Sequence, residues 1–154
     1  MKYAAVMDSP IGLLTLVEED GAICEVRFGE KCTETVVCET PLLKQAVQEL
    51  HEYFAGTRKE FAVPLAPKGT PFQQKCWQAL LQIPYGETRT YGQQAAMTGN
   101  PRACRAVGMG NNRNPLSIFI PCHRVIGKNG TLTGYGGGLE IKEKLLQLER
   151  MNEQ

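Results

Sequence analysis

The run Pro121-Cys122-His123-Arg124-Val125 sets a sulfur nucleophile beside an imidazole, directly after the strand-like apolar stretch Leu116 to Ile120. A thiol attacks as thiolate, and the free side chain ionises at about pH 8.5, so a useful nucleophile needs a neighbouring base or positive charge. His123 and Arg124 are at hand for that. Adjacent residues on a strand point to opposite faces, so a direct hydrogen bond from Cys122 to His123 requires a bend or a bridging water. A third member lies in the last helical stretch, where Ile141, Leu145 and Leu148 mark an apolar face and Glu149 falls near it. An unpaired buried carboxylate is costly, so Glu149 is either solvated at a frayed helix end or partnered inside. The chain has only two histidines, His51 and His123. The inner alternative is therefore a Glu149-His123-Cys122 relay, which would orient the imidazole and raise its basicity.

The elements that must hold these residues divide into two lobes, with expected domains at 1–66 and 67–154. In the first, Tyr3 to Met7, Leu13 to Val17 and Ile23 to Phe28 are strand-like runs separated by Ser9-Pro10, Gly12 and Gly21, which favour hairpins. Leu42, Leu43, Ala46, Val47, Leu50 and Phe54 then recur at helical spacing over Pro41 to Phe54, with Gly56 placed to end the helix. Phe61 to Val63 is expected as an edge strand, and Pro64 to Gly69 as the linker. The second lobe opens on Thr70-Pro71-Phe72-Gln73, a cap, a proline at the first helical position and a glutamine three residues after the cap, which predicts a helix over Pro71–Leu81. A second helix over Tyr91–Met97 and a third from Pro101 to about Gly108, capped by Asn100 and ended by Gly108 and Gly110, match a helix-turn-helix. The third helix carries Arg102 and Arg105. Two packed core helices with no ligand produce the same pattern.

At 154 residues the chain can bury one core or two small lobes. No basic start with an apolar signal core and no membrane-length apolar run is present, so a cytoplasmic protein without a membrane partner is expected. Its six cysteines then read as free thiols, and Cys24, Cys32 and Cys38 lack the paired spacing and nearby histidines of a zinc site, so no metal is expected. The net charge of +1 conceals segregation: residues 1–70 carry 7 Lys or Arg against 11 Asp or Glu, whereas residues 71–154 carry 10 against 5. No acid occurs from Thr88 to Leu139, a window that holds Arg89, Arg102, Arg105, Arg113, Arg124 and Lys128. Such a stretch suits a surface kept clear for phosphates, the alternative being chance clustering in loops.

Pro121-Cys122-His123-Arg124-Val125 resembles the active-site signature of the O6-alkylguanine-DNA alkyltransferases. The resemblance extends through Phe72-Gln73-Gln74, Tyr85-Gly86, Thr90-Tyr91, Gly99-Asn100-Pro101, Arg105-Ala106-Val107-Gly108, Asn114-Pro115, Tyr135 with Gly137-Gly138-Leu139, and Lys142-Glu143. It implies an α/β (α+β) fold, with a ribonuclease H-like sheet-and-helix lobe followed by a winged helix-turn-helix lobe that binds DNA. It implies that Cys122 attacks the alkyl carbon on guanine O6 once and keeps it, with O4-alkylthymine a further candidate substrate. His123 would take the thiol proton through water, Glu149 would hold the imidazole, Tyr91 would donate toward guanine N3, and Asn114 would fix the backbone leading to the active site. The base must be flipped out of the duplex for this. Arg105 would fill the gap, and Arg102, Ala103, Ala106, Gly108 and Arg124 would contact DNA. Tyr91, Val125, Tyr135, Gly136 and Lys142 would line the pocket. The implied partner is double-stranded DNA containing O6-alkylguanine, met from the minor groove with low sequence specificity by a monomer that needs no cofactor.

One departure from the family pattern is Gly136, where many relatives carry serine after the tyrosine; it leaves a roomier pocket, for which tolerance of bulkier alkyl groups is expected. Three other functions compete. A non-catalytic damage sensor of the alkyltransferase-like type would lack the nucleophilic cysteine, whereas Cys122 is present. A plain helix-turn-helix regulator would leave Cys122, His123 and Glu149 without purpose. A cysteine hydrolase would need a second histidine or an oxyanion motif suitably placed.

Overall fold

The chain forms two compact units, one from Met1 to Lys68 and one beginning at Gly69, and the computed structural model describes residues 1–152. In the first unit β1 (Lys2–Met7), β2 (Leu14–Glu19) and β3 (Ala22–Phe28) form successive antiparallel pairs, with Ala4 opposite Val17 and Leu16 opposite Val26. A short β4 (Val36–Val37) adds to β1 in parallel, giving the order β3-β2-β1-β4. α1 (Pro41–Phe54) covers this sheet. Thr40 caps it by accepting the Leu43 N–H, and Leu43, Ala46, Leu50 and Tyr53 form its buried stripe. The expected strand at Phe61 to Val63 does not form. The N–H groups of Ala62 and Val63 donate instead to Oε1 of the buried Glu49 on α1, at 2.8 and 3.3 Å, so a side chain does the work of a neighbouring strand.

The second unit contains α2 (Pro71–Leu81), α3 (Tyr91–Met97), α4 (Cys104–Asn112) and α5 (Leu139–Met151), with a two-stranded parallel ladder of β5 (Arg89–Thr90) and β6 (Val125–Ile126). α2 and α3 both open on capping boxes, Thr70 with Gln73 and Thr90 with Gln93. Trp77 of α2 is buried in the core, and Gly69 lies against its ring so closely that a Cβ there would come within 2.3 Å of it. Among the described residues no helix is long and apolar enough to cross a membrane.

The third helix begins at Cys104 rather than Pro101 and runs through Gly108 and Gly110 to Asn112. Asn100 Oδ1 does accept the Arg102 N–H at 3.2 Å, but it closes a turn and leaves Arg102 on the loop before α4. Gly110 stays helical because α2 packs onto it: its carbonyl accepts the Trp77 indole N–H at 3.0 Å, and a Cβ would lie 3.0 Å from Cys76 Sγ. Close packing here outweighs the poor helix propensity of glycine. Leu116 to Ile120 is buried but is not the expected strand. Its chain turns, with the Ile120 N–H donating to Leu116 O at 2.8 Å and Ile118 held at φ 79°.

Candidate active site

Pro121 makes the bend that the sequence requires. Its φ of −81° and ψ of 65°, with the Cys122 N–H donating to Ile120 O at 2.8 Å, define an inverse γ-turn. Cys122–Arg124 then continue as a single 3-10 turn, so Cys122 and His123 are not on opposite faces of a strand. Asn114 holds the approach to this turn. Its Nδ2 donates at 2.8 Å to the same Ile120 carbonyl, and its Oδ1 accepts the Leu116 N–H at 2.9 Å. Ile118, a β-branched residue in the left-handed region, is the strained position that these bonds enclose.

His123 is fully buried, and its Nε2 lies 2.6 Å from Glu149 Oε2. The inner alternative for Glu149 is therefore the one realised, since its side chain is 1% exposed. Glu149 also accepts the Gly86 N–H at 3.1 Å and both Nε and Nη2 of Arg124, at 2.8 and 3.1 Å. Burial pushes its carboxyl up, but the hydrogen bonds and charges of His123 and Arg124 outweigh that and hold it far below the ordinary range. Burial lowers the His123 imidazole, against the pull of Glu149, so the ring rests neutral. With Nε2 donating to the carboxylate, Nδ1 carries the lone pair; it is buried and has no hydrogen-bond partner among the described residues. Burial raises the Cys122 thiol, opposed by hydrogen bonding from Asn114 and Ser117 and by the charge of Lys142. The resting sulfur is thus a protonated thiol beside a neutral base.

The β5–β6 ladder pairs Thr90 with Ile126, which brings the start of α3 next to the chain leaving the 3-10 turn. Tyr91, the first residue of α3, is half-buried, and its hydroxyl accepts from Thr133 Oγ1 at 2.8 Å. Lys142 is fully buried on α5, donates from Nζ to Thr133 O at 2.7 Å and stands 6.0 Å from the Tyr91 ring centre. The Tyr135 phenol is pushed well up by burial and by the neighbouring Cys122. Val125 is wholly buried in β6, whereas Gly136 is exposed. A surface cavity of about 680 Å³ beside Tyr91 is lined by Thr90, Gln93, Cys104 and Lys128.

α4 presents Arg105 and Ala106 to solvent, with Arg102 exposed just before it and Ala103 and Gly108 partly covered. Gly108 borders the site, since a Cβ there would lie 3.8 Å from the Tyr91 ring. Arg124 is not on this face, and its expected DNA contact is overturned. Its side chain is 8% exposed, engaged by Glu149 and by Ile83 O at 2.7 Å, with the Tyr85 ring centre 5.6 Å away. Charge in a sequence window does not distinguish a surface cation from one drawn inward by a buried carboxylate. Ser117, Thr133 and Ile83 also take part in the site unheralded, Ile83 through its backbone carbonyl and the other two as ordinary hydroxyls, whereas Gly86, part of the Tyr85-Gly86 resemblance, contributes its backbone N–H.

Residues 2–67 match the family described as 6-O-methylguanine DNA methyltransferase, ribonuclease-like domain, and residues 71–151 match the corresponding DNA binding domain. The chain is 52% identical to the constitutive methylated-DNA–protein-cysteine methyltransferase of Bacillus subtilis, covering 99% of this chain and 98% of that relative. It is likewise 52% identical to the methylated-DNA–protein-cysteine methyltransferase of Methanosarcina acetivorans, over 96% of this chain and 97% of the relative. Its fold is similar to that of the crystal structure of Mycobacterium tuberculosis OGT in complex with DNA, with a TM-score of 0.91 and 48% identity over 97% of this chain and 94% of that one.

Proposed function

The chain belongs to the 6-O-methylguanine DNA methyltransferase family, the O6-alkylguanine-DNA alkyltransferases, and from the geometry around Cys122 we propose how it removes alkyl groups from DNA. The carrying observation is His123, buried beside Cys122 with Nε2 committed to Glu149 at 2.6 Å and Nδ1 directed to no other group among the described residues. The thiol proton passes to Nδ1 through a bridging water, and the thiolate attacks the alkyl carbon on guanine O6. The new bond is S–C and the broken bond is C–O6, whose electron pair leaves with the guanine. Tyr91 donates a proton toward guanine N3, which makes the base a better leaving group; the imidazolium then returns its proton to solvent, and the Tyr91 phenolate takes one back from it. A thioether is not reversed by this machinery, so each molecule acts once. Asn114 acts by fixing the Ile120 carbonyl that opens the γ-turn.

The pocket of Tyr91, Val125, Tyr135, Gly136 and Lys142 receives a base that has been swung out of the duplex, since the alkyl carbon is out of reach in a stacked pair. Arg105 fills the gap. Ala103, Ala106 and Gly108 allow α4 close approach in the minor groove, with Arg102 nearby, and contacts to backbone rather than base edges give low sequence specificity. The protein acts as a monomer in the cytoplasm, where its free cysteines would stay reduced.

Incubation with a duplex carrying O6-alkylguanine, followed by intact-mass measurement, tests this reading. The expected result is one alkyl group per chain, mapped to Cys122 and absent from Cys122→Ala. Binding without mass gain would make the protein a damage sensor, and modification at another residue would displace Cys122 from the reaction.

A further inference from the structure

The buried Arg124 has no part in the chemistry just described, yet it makes a geometrically demanding set of contacts. Its guanidinium grips both oxygens of Glu149, through Nε at 2.8 Å and Nη2 at 3.1 Å, while Nη1 is anchored on Ile83 O at 2.7 Å. Glu149 Oε2, the oxygen that receives Nη2, is also the oxygen 2.6 Å from His123 Nε2. A planar fork held at three points fixes the carboxylate plane, and that plane fixes the imidazole. We propose that Arg124 is a positioning residue of the proton relay: it keeps Glu149 ionised and oriented, so that the thiol proton stops on His123 rather than passing on to Glu149.

A glutamate bonded to histidine alone could accept the imidazolium proton and leave the base undefined. A carboxylate that also accepts from a permanently charged guanidinium remains an acceptor. The same positive charge works against formation of an imidazolium next door, so Arg124 both steadies His123 and moderates its basicity. The ionisable groups around this pair are few. Cys122 and Arg124 come from the 3-10 turn, Lys142 and Glu149 from α5, Tyr85 from the turn after α2 and Tyr135 from the loop before α5. Of these, Arg124 is the cation in direct contact with the carboxylate.

This inference rests on the alkyl-transfer reading, and its test separates the two. In the wild-type protein without DNA, the Glu149 side-chain carbon, followed by NMR, is expected to stay a carboxylate as pH falls through the ordinary glutamate midpoint of about 4.3. Titration at or above that pH overturns the proposal without any variant. In Arg124→Met, the His123 ring titration and the acid limb of the single-turnover rate are expected to move up by about one pH unit. Arg124→Lys retains charge and loses the fork, so its acid limb stays in place while its plateau rate falls by about tenfold or more. An Arg124 that merely stabilises the fold would leave the ring titration unmoved and the plateau rate intact in folded protein, and either result rejects the positioning role. Failure of wild-type mass gain would instead refute the alkyl-transfer reading, leaving the NMR titrations to judge Arg124 by themselves.

Discussion

At the scale of single residues, a protonated thiol and a neutral imidazole share one tight turn, and activation waits for a substrate that gives the thiolate something to attack. Burial raises Cys122 and lowers His123, so both resting groups are uncharged. Gly136 is the position at which a preference for adduct size is expected to be set. Its φ lies outside the left-handed region and a Cβ there would meet nothing within 4 Å, so a larger side chain fits without backbone strain. Gly136→Ser is therefore expected to fold normally and to narrow the pocket, slowing transfer from O6-benzylguanine relative to O6-methylguanine by about five-fold, the effect of about 1 kcal/mol of lost fit. Single-turnover rates on the two adducts measure this; an unchanged ratio removes Gly136 as the determinant. The Cys122, His123 and Glu149 set is legible in the sequence because a carboxylate on an apolar helix face needs a buried partner, and His123 is one of only two imidazoles in the chain. Arg124 misleads for the opposite reason: an arginine in a basic window looks the same whether it meets phosphate or a buried glutamate.

At the scale of elements, the cap of α2 is the most legible feature, whereas the Asn100 cap expected for the third helix closes a turn instead. Thr70-Pro71 with Gln73 is a local hydrogen-bond pattern that needs no tertiary information, and α2 begins where that pattern places it. The limits of α4 depend on distant packing instead, since Gly110 is retained in the helix by Cys76 and Trp77 of α2. The Leu116 to Ile120 segment is apolar enough to suggest a strand, but its shape is set by Asn114, whose two bonds curl it toward Cys122. α3 and α4 are in turn locked by the buried amides of Gln94 and Asn111, which exchange two hydrogen bonds of 2.8 Å. Gln94→Leu leaves Asn111 with its polar atoms stranded and is expected to cost about 1–3 kcal/mol of stability. The double change Gln94→Leu with Asn111→Leu removes both partners and is expected to recover part of that loss. Denaturant midpoints for the single and double variants decide it; simple additivity of the two losses would show that the amides do not act as a pair.

At the scale of the whole molecule, net charge near zero hides an acid-free stretch whose cations are the candidates to face DNA. The structure reduces their number. Of the six in that window, Arg124 is inside and Arg89 is paired with Glu87 at 3.0 Å, which leaves Arg102, Arg105, Arg113 and Lys128 exposed. Each phosphate neutralised releases condensed counterions, so the slope of log K against log salt is about −0.9 per contact. If Arg105 enters the base stack rather than meeting phosphate, three contacts remain and the expected slope is about −2.7; with all four on phosphates it is about −3.6. Arg113→Gln and Lys128→Gln are each expected to flatten the slope by about 0.9, and Arg105→Ala is expected to weaken binding with a smaller change of slope. Salt titrations of affinity for an undamaged duplex supply the numbers. A wild-type slope steeper than about −5 would require further cations, from outside this window, to share the DNA surface.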